Sequence, residues 1–221
     1  MNAAKVVETA SDVDGDELLA ALDVPSPRAT LVLNGSAGGL DSDVADHLSA
    51  VFGADGLAGT VSRERLTTVT GGTDAGIFSI LGRAIRARSA PLIGVAPRAL
   101  VSGPGGSGRV PLEPHHSHFV LVEGDAWGDE TATLLALSRA LSRSAPSVAV
   151  ICGGGPVTRN EVLGHVRDGR PLVALSGSGR LADELVAGTA MVGDGAKITV
   201  CPVAAGGPGL ARAVVDALWP L

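Results

Sequence analysis

One local pattern recurs four times along this chain: an apolar run, then glycines and small polar residues, then a stretch of helical periodicity. Its sharpest instance is Val69-Thr70-Gly71-Gly72-Thr73-Asp74-Ala75-Gly76-Ile77. The others are Leu33-Asn34-Gly35-Ser36-Ala37-Gly38-Gly39, Ile151-Cys152-Gly153-Gly154-Gly155 and Leu175-Ser176-Gly177-Ser178-Gly179-Arg180. A strand that turns through glycine straight into a helix aims backbone N–H groups and the positive helix end at one point, and its small side chains let an anion come close. Four such turns require strands and helices in alternation, and the chemistry they suit is a phosphate-bearing ligand.

The remaining periodicity agrees. From residue 30 the chain reads as strand 30–34, helix 42–52, strand 65–70, helix 76–88 and strand 92–96. After a Gly/Pro-rich stretch, Ser102-Gly103-Pro104-Gly105-Gly106-Ser107-Gly108, come strand 119–123, helix 130–143, strand 148–152, helix 159–167, strand 172–175, helix 181–187, strand 197–202 and helix 209–218. The strands are continuous Val/Ile/Leu runs without alternation, as expected of a parallel sheet buried on both faces. The predicted fold is α/β: a single Rossmann-like, doubly wound, mostly parallel sheet with helices on both faces. Its glycine turns all fall at the carboxyl ends of strands, where such sheets bind ligands. Residues 1–28 read as a polar leader with a short helix near 17–22, closed by Pro25-Ser26-Pro27, and residues 29–221 as the domain. The 102–108 stretch reads as a mobile flap over the site.

Composition narrows the function. With 45% hydrophobic residues, 31 glycines, two Trp, three Phe and no Tyr, the core is aliphatic. A net charge of −6 spread along the chain is not the basic footprint of a nucleic-acid binder. Cys152 and Cys201 lie in apolar runs and read as buried thiols. No apolar run reaches the roughly 18 residues of a membrane span, and the acidic start lacks a signal pattern, so the expected location is the cytoplasm. No Gly-x-x-x-x-Gly-Lys-Ser/Thr string occurs, the Thr70–Gly76 turn does not fit the Gly-x-Gly-x-x-Gly fingerprint, and no nucleophile elbow sits on a strand-to-helix turn, which argues against Walker-type hydrolysis, a Rossmann dehydrogenase and acyl transfer.

Several residues can carry chemistry. Thr73 can cap a helix or donate to a phosphate, and Gly76 allows close packing. Two hydroxyls, free N–H groups and a guanidinium in Ser176–Arg180 suit a diphosphate. With Lys5 and Lys197 the only lysines, arginine must carry any anion contact, Arg180 first and Arg98 second. His115, His116 and His118 precede a strand without a completing ligand set, so no metal is expected. His118 is the imidazole favoured to meet a ligand or orient a loop, and the other two are expected to be solvated. Acid/base candidates are Asp74, Asp129, Glu130 and Glu161, each also suited to the first turn of a helix.

In order along the chain, Val69–Ile77, Leu92-Ile93-Gly94-Val95-Ala96-Pro97, His116-Ser117-His118-Phe119-Val120-Leu121-Val122, Gly154-Gly155-Pro156-Val157-Thr158 and Gly177-Ser178-Gly179-Arg180-Leu181-Ala182-Asp183 resemble the SLOG superfamily. Within it they are similar to LSDAT, the branch shared by prokaryotic proteins and the N-terminal region of melastatin-type TRP channels. The resemblance runs from about residue 30 to residue 203. It implies a Rossmann-like sensor or signalling domain for NAD-derived nucleotides such as ADP-ribose, cyclic ADP-ribose or an NAD-like ligand. No further cofactor is needed, homo-oligomers are common, and any signal passes to a separate effector protein or through oligomer contacts. The ligand contacts it points to are Gly35, Ser36, Gly71, Gly72, Thr73, Gly76, His118, Gly154, Gly155, Thr158, Gly177, Ser178, Gly179 and Arg180. A second SLOG branch cuts the N-glycosidic bond of nucleoside monophosphates with a Pro-Gly-Gly-x-Gly-Thr-x-x-Glu loop. By chain order the counterpart is Glu123–Glu130, and by letters Gly153–Glu161; neither is intact. This alternative makes Glu130 or Glu161 the catalytic candidate, and the acidic Asp125 and Asp129 argue against a monophosphate at the first loop.

Overall fold

The structure, a computed structural model, describes residues 3–38, 42–85, 90–193 and 195–220. Gly39 and the expected end of the helix at 86–88 lie outside the described residues. The elements run β1 (Lys5–Thr9), α1 (Gly15–Leu22), β2 (Thr30–Gly35), α2 (Ser42–Val51), α3 (Leu57–Glu64), β3 (Thr67–Thr70), α4 (Gly76–Ala84) and β4 (Leu92–Pro97). Two short strands follow, β5 (Val101–Ser102) and β6 (Val110–Pro111), then β7 (His118–Val122), α5 (Thr131–Leu141) and β8 (Ser147–Cys152). The chain ends with α6 (Pro156–Arg167), β9 (Leu172–Ser176), α7 (Arg180–Val186), β10 (Ile198–Pro202) and α8 (Gly206–Leu218).

Eight strands form one sheet in the order β1-β7-β4-β3-β2-β8-β9-β10, and every pair in it is parallel. Alternate residues of each strand enter opposite layers. Leu31, Leu33, Val148 and Val150 pack with Leu48, Leu57, Leu81 and Leu210 on one face; Val32, Ala149 and Ile151 pack with Leu18, Leu137, Val162 and Leu185 on the other. From β2 the chain winds outward through β3, β4 and β7, then returns to β8 and winds the other way. The switch point therefore lies between β2 and β8, where the Rossmann arrangement opens its crevice.

Three expectations are corrected. Residues 1–28 are not a leader: Lys5–Thr9 is an edge strand in register with His118–Val122, and Leu18 and Leu22 are buried. Its Lys-Val-Val-Glu-Thr sequence buries only part of each side chain, so it lacks the apolar run that marks the central strands. Residues 102–108 are not a free flap. Gly106 N–H donates to Gly103 O, Ser107 N–H to Arg98 O and Gly108 N–H to Val101 O, and the segment packs beside Glu8 and Leu121 at the β1 side of the sheet. Helix α3 was not expected, because Gly59, Thr60, Val61 and Ser62 are poor helix formers. Burial of Leu57, Ala58, Thr60 and Val61 against the core holds it.

Candidate functional site

At the switch point the turns after β2, β3, β8 and β9 surround a cleft of about 210 Å³. Its walls bring together Gly35, Ser36, Gly71, Thr73, Gly155, Thr158 and Arg180 with both Glu130 and Glu161, all expected site residues. It adds Ala37, Gly38, Phe78, Trp127, Pro156 and Val157. Trp127 is 46% exposed and offers an open aromatic face, a feature without a periodic sequence signal. A second groove, about 370 Å³ and lined by Gly154, Arg159, Leu181 and Glu184, shares Gly155, Pro156 and Arg180 with the first. The two adjoin at those three residues.

Helices α4 and α6 start at this cleft, and neither carries a side-chain cap. Their positive ends face it, although α6 opens on Pro156, which has no N–H, and Ile77 N–H of α4 donates to Ser36 O. A Cβ on Gly155 would meet nothing within 4 Å, so packing does not demand glycine there, and the bare backbone leaves the approach to α6 open. Gly76 acts differently. At φ +52°, its missing Cβ would lie 2.1 Å from Ser36 O, so only glycine lets the turns after β2 and β3 meet. Thr73 is 1% exposed, and its Oγ1 has no hydrogen-bond partner. A buried hydroxyl left unpaired on a cleft wall costs about 1–3 kcal/mol, which a ligand atom would recover.

Glu161 is the most perturbed of the carboxylate candidates. Burial, then the charge of nearby Glu130, push it up to about 8, while the Asn34 amide pulls the other way. Glu130 is also raised by burial, although Gly128 N–H donates to its Oε2 at 2.7 Å. Sequence order kept these two glutamates on separate loops; the strand order puts both in one cleft. Arg180 is the one cationic residue lining it among the described residues. Its φ of +53° is left-handed, a conformation that costs a non-glycine residue about 1–2 kcal/mol and is found where function holds it.

Other expected contacts lie elsewhere. Gly72 packs against the Cα of Gly94. Gly154 N–H is taken by Ser36 Oγ at 2.9 Å. In the turn after β9 the expected diphosphate donors are already used: Gly177 N–H and Gly179 N–H both donate to Asp183, and Ser178 Oγ donates to Leu175 O and accepts from Gly153 N–H. Replacing Asp183 by alanine should therefore cost about 1 kcal/mol of stability, as loss of a cap does, and leave nucleotide affinity within about threefold. Chemical denaturation and calorimetry on the same sample check both halves.

The histidines are reassigned. His118 starts β7 level with Ile93 and Lys5, at the far end of the sheet from the cleft, with Ser117 Oγ 2.8 Å from its Nδ1. His116 is the imidazole that reaches the loop. It is buried, not solvated, with Nε2 2.8 Å from Thr70 Oγ1, the same hydroxyl that accepts from Gly72 N–H. Its Nδ1 lies 2.8 Å from Glu113, a fully buried carboxylate that also meets His115. Burial would raise Glu113, but the hydrogen bonds from His116 and His115 outweigh it and hold it below the usual carboxylate range.

Arg98 pairs with Glu8. Asp74 accepts from Ser79 and Arg83, which lower it, and Asp129 Oδ2 accepts the N–H groups of Asp125 and Ala126. Cys152 and Cys201 are free and buried, and burial pushes the Cys152 thiol up to about 12. Among the described residues no three His, Cys, Asp or Glu side chains converge as metal ligands.

The family model described as SLOG in TRPM, prokaryote, matches residues 28–216. The chain belongs to this family. Among curated proteins it is similar to transient receptor potential cation channel subfamily M member 2 of Rattus norvegicus, 27% identical over 203 residues, covering 73% of this chain and 13% of the channel. The Mus musculus counterpart is 26% identical with the same coverage. This SLOG chain thus spans about one eighth of the length of those relatives. Among solved structures it resembles TM1055, a structural-genomics target, with a TM-score of 0.55, 18% identity, and coverage of 79% of this chain and 91% of that one. That likeness concerns the fold. No helix among the described residues of the SLOG chain is long and apolar enough to cross a membrane. Family and fold together support a nucleotide-related domain.

Proposed function

We propose that the cleft binds an ADP-ribose-like nucleotide and that the protein acts as a sensor of it. The observation that carries this reading is the convergence of two uncapped helix starts, α4 and α6, with Arg180 and the unpaired Thr73 hydroxyl at one cleft. Helix starts and a guanidinium favour phosphate oxygens. Trp127 and Phe78 offer faces for a base, and burial keeps Glu161 protonated at neutral pH, so it adds no negative charge against a diphosphate. The adjoining second groove favours an elongated dinucleotide-like ligand over a mononucleotide, which the first cleft alone would suit.

A second reading has its own observation. Two carboxyls in one cleft, one held protonated to about pH 8, form the kind of pair that divides acid and base roles. Here Glu161 would give a proton to a departing base and Glu130 would stabilise the positive charge developing on the ribose.

Calorimetry against ADP-ribose, cyclic ADP-ribose, NAD, AMP and CMP, with each ligand recovered and run on a column, separates the two. Binding with an intact ADP-ribose-type ligand supports the sensor. A free base released from AMP or CMP, abolished in Glu161→Gln or Glu130→Gln, replaces it with the hydrolase, and no binding of any probe rejects both.

A further inference from the structure

Helix α6 presents Glu161 and, four residues on, His165 to the end of β2. Both are buried, as is Asn34 on β2. His165 Nε2 lies 2.9 Å from Asn34 Oδ1, and His165 Nδ1 lies 2.5 Å from Arg170 Nη1. Arg170 is 4% exposed. Its other donors go to Ser147 Oγ, Ser138 O and Ser142 Oγ.

These contacts admit one arrangement of protons. A guanidinium has donors and no acceptor, so His165 Nδ1 must be the bare nitrogen that accepts from Arg170. Burial, with the charges of Arg170 and Arg139, keeps the ring neutral, its proton affinity well below the usual imidazole range. The single ring proton is then on Nε2, which donates to an oxygen, Asn34 Oδ1. The carboxamide is fixed, and its Nδ2 is turned the other way. That atom is buried and has no hydrogen-bond partner, and Glu161 stands beside it.

We infer that Arg170 and His165 are positioning residues that orient the Asn34 carboxamide so that Nδ2 stands as a donor toward Glu161. Asn34 thereby selects for an acceptor at that point: the carbonyl oxygen of Glu161 itself, or a hydroxyl or carbonyl oxygen of a bound ligand. If the carboxamide were free to turn, Oδ1 would face Glu161, accept its O–H and stabilise the neutral acid. The other charged group that acts on Glu161 is Glu130 at the start of α5, Arg180 of α7 lines the same cleft, and the relay touches neither of them.

The test has two arms on the full chain that need no ligand. In ¹⁵N spectra of the wild type, His165 should hold its proton on Nε2 across the neutral range; a proton on Nδ1 overturns the relay. In ¹³C spectra of carboxyl-labelled glutamate, the Glu161 midpoint should rise by about half a pH unit or more in His165→Phe, which keeps the ring volume and removes both nitrogens, and likewise in Asn34→Leu. Should one variant fail to fold, the other decides; an unchanged or lowered midpoint overturns the inference. A third arm rests on the nucleotide reading: ADP-ribose affinity should fall about tenfold in Asn34→Leu. If the wild type binds no ADP-ribose, that reading fails while the tautomer and the titration still judge the relay.

Discussion

Replacing Arg180 by alanine should weaken ADP-ribose binding by roughly 10- to 150-fold, the equivalent of about 1.5–3 kcal/mol for hydrogen bonds to a charged group. The size follows from isolation: among the described residues no other cation lines the first cleft, and Arg159 in the adjoining groove is paired with Glu184. Folding should be nearly untouched, because alanine occupies the same left-handed backbone as arginine at φ +53°. Arg180→Gly sharpens the test. Glycine relieves a strain of about 1–2 kcal/mol but loses more entropy on folding, so this variant should match the wild type or exceed it by up to about 1 kcal/mol while binding as poorly as Arg180→Ala. A site that gains stability when its function is removed is one where the backbone is strained for the ligand's benefit. Calorimetry and thermal unfolding on the three proteins decide the matter. Equal affinity in all three would remove Arg180 from the site.

What the sequence disclosed depends on how far apart the relevant residues lie. The central strands were legible because burial on both faces writes them as unbroken apolar runs such as Ser147–Cys152, and the glycine turns marked the edge where the cleft lies. The edge strand Lys5–Thr9 was not, since half-exposed positions carry no such run. Within the site, Gly35, Ser36, Thr73 and Arg180 could be read locally, but Ser178 could not: a serine in a glycine turn looks the same whether its hydroxyl faces a ligand or, as here, ties Leu175 O to Gly153 N–H. Choosing His118 over His116 failed for a related reason. Position beside a strand says nothing about which imidazole a buried carboxylate such as Glu113 will recruit, and only the fold shows that partner. The meeting of Glu130 and Glu161 needed the strand order, which puts β8 beside β2 and carries α6 to the cleft.

Glu161 should also leave its mark on stability, which is expected to fall by about 2 kcal/mol as pH rises from 6.5 to 8, a loss that Glu161→Gln should largely abolish. The sign follows from proton counts. In the folded protein Glu161 keeps its proton up to about pH 8, whereas the unfolded chain releases it near the ordinary 4.5. Between those values the folded state holds the extra proton, so each rise in pH favours unfolding. Glu130 is raised in the same direction, so its contribution has the same sign wherever it titrates. His165 opposes it, but only lower down: neutral when folded and able to take a proton near 6.5 when unfolded, it costs stability as pH falls below that value. Above 6.5 it is neutral in both states, and there Glu161 sets the slope. Asp74 and Glu113, held low, titrate far beneath this window, and the Cys152 thiol, whose ordinary value is 9.0, titrates above it. Urea unfolding at three pH values between 6.5 and 8 measures the slope; a slope of the opposite sign, or one that survives in Glu161→Gln, would show that this carboxyl is not held protonated. The same ionisation bears on the ligand. Above pH 8 a second negative charge would enter a cleft with one guanidinium, so affinity for a diphosphate should drop where stability does, and both should become flat in Glu161→Gln. Shared pH dependence of folding and binding, removed by one substitution, would tie the burial of this carboxyl to the anion proposed for the cleft.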